Sequence, residues 1–288
     1  MKAQNLFPFL IVILLLTSSC LRIPEYVLST EVPPVDKTRE AKMLSAFFGL
    51  DNGLTQRARL IWRGAPGKDG MPIVFSHEID PNSLDASDFQ IKTQKGDIVG
   101  IEHASYRPAV EEFELRTLLL IGEYGNAPDN EPMEVTIVGD LKSRDGQNLK
   151  GQSIAVTPLA NGPFISYAEY FKFDDQYPYV KKGRGCDCPK AETQVVVRLV
   201  WSGGVRSKKG KELGEAELKN FHIKLRIGEE TIEVNPFQIA DLKDNENNID
   251  LCIKDAGIPI SVKADANIAI DPNDDLNEVT EIKVVSRY

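Results

Sequence analysis

Apolar and polar residues alternate with a period of two along much of the chain. Phe89 and Ile91 alternate with Gln90 and Lys92, and Val135 and Ile137 with Glu134 and Thr136. Phe113, Leu115, Thr117, Leu119 and Ile121 alternate with Glu112, Glu114 and Arg116. Ala58, Leu60 and Trp62, then Ile73 and Phe75, then Ile154 and Val156 complete a series of short runs. This is the pattern of half-buried antiparallel strands. The residues between the runs suit tight turns: Gly67 to Gly70, Asp80-Pro81-Asn82, Lys95-Gly96-Asp97 and Asp145-Gly146. No long helical pattern interrupts them, which predicts an all-β chain and favours a sandwich over an α/β sheet.

The second half repeats the first weakly. Arg59-Leu60-Ile61-Trp62 recurs as Arg198-Leu199-Val200-Trp201, and Asp88-Phe89-Gln90-Ile91-Lys92 as Asn220-Phe221-His222-Ile223-Lys224. Pro132-Met133-Glu134-Val135 recurs as Pro259-Ile260-Ser261-Val262. The order of the copies is kept, which predicts a tandem pair of related units, the second divergent. The expected boundaries are a leader over 1–20, a tether over 21–53, a first domain over 54–159, a linker over 160–192 and a second domain over 193–288. Within the tether, Ala41, Leu44 and Phe48 recur at helical spacing, which predicts a short helix over Lys37 to Phe48.

Two stretches carry a family resemblance. Phe75 to Gly96, FSHEIDPNSLDASDFQIKTQKG, and Val135 to Gly151, VTIVGDLKSRDGQNLKG, resemble the bacterial Ig-like domain of S-layer and adhesin-type surface proteins. In that family a strand ends in a D-P-x-(S/T)-L turn, and a late strand leads into D-x-x-G-N-x-L. Here Asp80, Pro81 and Leu84 match the first, and Asp145, Gly146, Asn148 and Leu149 follow the second with Gln147 inserted. The resemblance covers about a third of the chain. It implies two tandem Ig-like antiparallel β-sandwiches joined by an aromatic-rich linker, acting as non-catalytic spacers or binding modules.

Met1 to Cys20, MKAQNLFPFLIVILLLTSSC, has a positive start at Lys2, an apolar run from Leu6 to Leu16 and small residues before Cys20. The run is too short to cross a bilayer as a helix. The stretch resembles a bacterial lipoprotein signal, although Thr17 takes the place of the usual apolar lipobox residue. That resemblance implies cleavage before Cys20 and acylation of its thiol. The partner would then be a membrane, held by acyl chains. Leu21 is not the Asp that retains many lipoproteins at the inner membrane, so the outer membrane is preferred. The alternative is plain secretion, and both readings export the chain.

The composition, with 42% hydrophobic and 27% charged residues in 288, is that of a globular protein. The net charge of −9 argues against nucleic acid, because phosphate contacts need clustered Lys and Arg. Of the four cysteines, Cys20 is accounted for by the leader. Cys186, Cys188 and Cys252 then allow one disulfide and one leftover thiol, with either Cys186 or Cys188 pairing with Cys252. Ile249, Leu251 and Ile253 should face a core. Cys252 should therefore point outward with Asp250 and Lys254.

The candidate chemistry is thin. Tyr167, Tyr170, Phe171, Tyr177 and Tyr179 crowd the linker, where they would form a stacking platform for a glycan or protein ligand or fill a groove between domains. Asp271, Asn273, Asp274, Asp275 and Glu278 pack oxygens into one loop that would suit calcium or serve as an acidic turn. His77, His103 and His222 fall in no zinc or triad spacing, and Ser76 and His77 as strand neighbours should point to opposite faces. No cofactor is expected. The reading is a membrane-anchored, non-enzymatic envelope module. Its alternative is a polysaccharide-acting enzyme or carbohydrate-binding accessory protein using the aromatic linker.

Overall fold

The computed structural model describes residues 39–110, 114–172, 187–240 and 246–287. Cys20, Cys186, Tyr177 and Tyr179 lie outside the described residues. Eight strands come first: β1 (Met43–Phe47), β2 (Asp69–Phe75), β3 (Phe89–Thr93), β4 (Ile98–Gly100), β5 (His103–Ser105), β6 (Thr117–Gly122), β7 (Pro132–Ile137) and β8 (Ser153–Thr157). Nine follow: β9 (Ile165–Lys172), β10 (Val195–Trp201), β11 (Phe221–Ile227), β12 (Glu230–Val234), β13 (Gln238–Ala240), β14 (Asn248–Ile253), β15 (Ile258–Ala264), β16 (Thr280–Lys283) and β17 (Val285–Ser286). The described chain is all-β, in three sheets. Among the described residues no helix is long and apolar enough to cross a membrane.

The first eight strands form one sheet in the order β4-β3-β7-β8-β1-β2-β6-β5. It curls into a half-barrel, so Phe89, Ile91 and Val135 on one limb share a core with Ile73, Phe75, Leu118 and Leu120 on the other. Alternation explains the limb β3, whose residues run buried, exposed, buried, exposed, buried. Each large apolar side chain fully buried there contributes about 1.5–3 kcal/mol. The turns use the residues their geometry demands. Asp80 accepts from the Asn82 N–H at 3.0 Å, and Gly96 and Gly146 sit at φ +90 and +91.

Two expectations fail here. Met43–Phe47 is a strand, not a helix, and it lies mid-sheet, antiparallel to β2 and parallel to β8. It is buried on both faces, Met43 and Ala46 into the core and Leu44 toward the second half. A short apolar run buried on both sides has no clear period, so helical spacing arose by coincidence. The segment around Trp62 is a 3-10 turn, Gln56–Leu60, rather than a strand. With Ala58 and Ala65 it covers the outer face of β6, against Leu119 and Ile121.

The remaining strands form two sheets, β13-β14-β10-β9-β17 and β12-β11-β15-β16. They share a second core that includes Val197, Leu199, Trp201, Ile223, Leu251 and Val262. Part of the repeat survives as structure. A 3-10 turn, Ala86–Asp88, leads into β3, and another, Leu218–Asn220, leads into β11. Ile91 of β3 pairs with Val135 of β7, and Ile223 of β11 with Val262 of β15, both antiparallel. The copy at Arg59 does not survive, because that segment is a turn while Arg198 lies in β10.

β9 also corrects the linker. Tyr167, Tyr170 and Phe171 belong to an internal strand of the five-stranded sheet, between β10 and β17. Their crowding reflects a strand with apolar side chains on both faces.

Candidate functional site

The most unusual chemistry lies where the five-stranded sheet meets the curled sheet. Inner residues of β10 and β14 face the second core, as alternation predicts. Their outer residues are buried as well. Glu169, Arg198 and Asp250 stand in one row across β9, β10 and β14, since Arg198 is the register partner of both acids. All three are buried. Arg198 donates to Asp250 through Nε at 2.7 Å and through Nη2 at 2.8 Å, a two-pronged pairing that satisfies both carboxylate oxygens.

Glu169 is held from both halves of the chain. Arg116, just before β6, donates to its Oε2 at 3.2 Å, and Tyr167 does the same at 3.2 Å. Arg287 donates to Oε1 through Nε at 2.9 Å and also through Nη2. The guanidiniums stack on rings, Arg116 over Tyr167 at 4.3 Å and Arg287 over Phe171 at 4.6 Å. Burial alone would push the Glu169 carboxyl up. The charges of Arg116 and Arg287 outweigh it and hold the group down at about 2.

Neutral contacts extend this seam. Ser45 of β1 meets Ser166 of β9 at 2.7 Å, and the Asn247 amide donates to Thr117 of β6 at 3.0 Å and to the Trp201 carbonyl at 2.8 Å. Val74, Tyr167 and Val200 pack between them. Asn273 donates to the Gly49 carbonyl at 2.8 Å.

One end of the seam opens into a cleft of about 480 Å³. Its walls are mainly apolar, with Phe47, Leu50, Leu54, Tyr106 and Leu119 on the first side and Gly203 and Pro272 on the second. Arg57, Arg107 and Glu246 supply its charge. Beside it, buried Asp69 accepts from the N–H groups of Asn52 at 2.7 Å and Tyr124 at 2.6 Å. Burial wins over these bonds and pushes its carboxyl up to about 6.

No protein-family model and no curated protein matches the chain. It has a distant structural similarity to the N-terminal part of the bacterial S-layer protein SbsC, at 14% identity and a TM-score of 0.28, covering 86% of this chain and 45% of that one. A second SbsC structure, domains 1–6, gives 8% identity and a TM-score of 0.28, covering 87% of this chain and 55% of the other. The chain thus spans about half the length of these structures.

The residues singled out in the sequence scatter around this seam. Cys188 and Cys252 form a disulfide. Cys252 does share a face with Asp250, but that face is buried, because Phe171, Val196, Ala240 and the disulfide itself cover it. Tyr167 and Phe171 are buried in the seam, and Tyr170 packs half-buried against the second core. Asp271 is buried and accepts from the N–H groups of Asn273 and Asp275, each at 2.9 Å. Asp274 pairs with Arg206 at 2.7 Å, while Asp275 and Glu278 line a separate polar cleft of about 550 Å³. Among the described residues no group of three or more His, Cys, Asp or Glu is arranged to hold a metal ion.

Ser76 and His77 do meet, with Oγ and Nδ1 at 2.9 Å, because β2 has ended before them. Ser76 Oγ also accepts the Lys42 N–H at 2.9 Å, so the contact brackets two strand ends. His103 stacks on Trp62 at 5.5 Å, and His222 lies between Glu233 and Asp265 on the sheet surface.

Sequence reasoning missed the ionic row. A signal existed: Val195 to Trp201 is apolar apart from Arg198, which is how a strand buried on both faces reads. A charge inside such a run needs a buried partner.

Proposed function

We propose that this protein is an exported, lipid-anchored, non-catalytic module of the cell envelope that serves as a binding or spacing element. On this reading Cys20 carries acyl chains, the outer membrane is the preferred site, and the body is a pair of divergent Ig-like sandwiches. The observation that carries the reading is the ionic seam. Domains in one chain normally move against each other unless their interface is large and well packed. Here a buried carboxylate of one half is held by Arg116 of the other, and apolar and serine contacts flank it. A body stitched in this way is stiff, as a spacer needs to be.

Other features support parts of the reading. The buried Cys188–Cys252 disulfide suits an oxidising compartment outside the cytoplasm. The repeated turn, strand and partner strand supports related sandwiches. Arg198 and Asp250 are spent on each other, and Glu169 on Arg116, Tyr167 and Arg287, so these buried charges serve packing and favour structure over catalysis.

Palmitate labelling with membrane fractionation tests the anchor. The full chain should take label and pellet with membranes, and Cys20→Ala should do neither; label on the variant, or none on the parent, refutes it. Double electron–electron resonance between labels at Lys95 and Glu229 tests the stiffness. One narrow distance is expected, and a broad distribution would overturn the spacer role.

A further inference from the structure

We propose that the cleft at the end of the seam binds a single-chain amphiphile with a carboxylate head, of the fatty-acid class. The inference stands apart from the envelope role above. The cleft's volume of about 480 Å³ lies in the range of small-ligand pockets, and it sits where two sheet systems meet, as such pockets often do. Phe47, Leu50, Leu54 and Leu119 offer an apolar wall that suits hydrocarbon.

The polar groups decide the head. Arg107 spends Nη1 on the Leu60 carbonyl at 2.9 Å, while its Nη2 is buried and meets no hydrogen-bond partner among the described residues. A buried guanidinium nitrogen without an acceptor is costly, and an incoming anion removes that cost. Arg57 also lines the cleft, is exposed, and has no ion pair or hydrogen-bond partner among the described residues. Glu246 opposes them, but its oxygens accept from the Asn248 N–H at 2.7 Å and the Asn248 amide at 2.5 Å. Among the residues that line the cleft, two arginines stand against one engaged acid, a local positive excess in a chain of net charge −9. A planar carboxylate matches a guanidinium edge. The volume suits one chain; a two-chain phospholipid is too large.

Arg107 has a second role, because its bond to Leu60 fastens the turn that forms one cleft wall. The test must therefore separate binding from that structural contact. Octanoate, octanol and octylammonium are titrated calorimetrically into the full chain, with ligand into buffer as the blank. Octanoate should bind at one site. Octanol should bind at least about tenfold more weakly, and octylammonium not measurably, since a charge-assisted bond is lost or reversed. Arg57→Gln, which breaks no hydrogen bond or ion pair among the described residues, should weaken octanoate by about tenfold and leave octanol unchanged, and Arg107→Gln should do the same if its melting temperature holds. Leu54→Trp, which fills the cleft, should abolish both ligands. Equal binding of octanoate and octylammonium would overturn the proposal. So would octanoate binding that survives Leu54→Trp, or an Arg57→Gln variant with unchanged octanoate affinity.

Discussion

Replacing Glu169 with Gln gives the sharpest test of the seam. The side chain keeps its shape and loses its charge. Arg116 and Arg287 are then left buried around a neutral amide, whose NH2 must point at one of them. Two routes give the size of the effect. The gap between the ordinary carboxyl value of 4.5 and about 2 corresponds to about 3 kcal/mol of differential interaction. Breaking a buried ion pair from one side costs about 3–5 kcal/mol. Both point to a fall in melting temperature of about 10 °C for a chain of this size. Tryptophan fluorescence in urea reads the effect well, because Trp62 lies in the first half and Trp201 is buried in the second core. With the other tryptophan changed to Phe, each reports on its own half. In the parent the two curves should coincide; in Glu169→Gln they should separate. A triple change of Glu169→Leu, Arg116→Met and Arg287→Met should recover much of the loss, since a well-packed apolar set often replaces a buried ionic one without cost. A Glu169→Gln variant within about 1 kcal/mol of the parent, a value typical of exposed pairs, would show that Glu169 does not hold the seam. The sign with pH is fixed too. Because the folded value lies below the unfolded one, this stabilisation is complete above about 4.5 and is lost as pH falls toward about 2.

Three further outcomes are expected. Reducing the disulfide, or changing Cys252→Ser, should destabilise the protein by about 4 kcal/mol, since the bridge closes a loop across a sequence separation of 64; unchanged denaturation midpoints with and without reductant would contradict this. Asp69 has the opposite pH behaviour from Glu169. Its folded value near 6 exceeds the ordinary 3.8, so stability should rise as pH falls from about 6 to about 4. That rise should vanish in Asp69→Asn, read from urea midpoints across the same range. Gly162→Ala should cost about 1–3 kcal/mol, because a Cβ there would lie 1.9 Å from the Leu276 carbonyl oxygen. Gly214→Ala meets no atom within 4 Å and is the matched control in a thermal melt.

What the chain discloses before folding follows from which forces are local. Period-two alternation marks β3, β7 and β11 because each has one wet face, and a strand with one wet face announces itself residue by residue. The turns at Asp80, Gly96 and Gly146 are legible for the same reason, since their chemistry acts within two or three residues. β1 is not legible: its five residues are covered on both sides, and nothing local separates such a run from a turn of helix. The candidate site is hidden for a related reason. Glu169 and Asp250 each look like the polar member of an alternating pair, and only strand register brings them into one row with Arg198. Only the docking of the curled sheet removes water from it. An isolated charge in an apolar strand is therefore better read as half of a buried pair than as a surface residue. Arg198, between Val196 and Val200 on its own face and beside Val197 and Leu199 on the other, is the position where that rule would have located the seam from sequence.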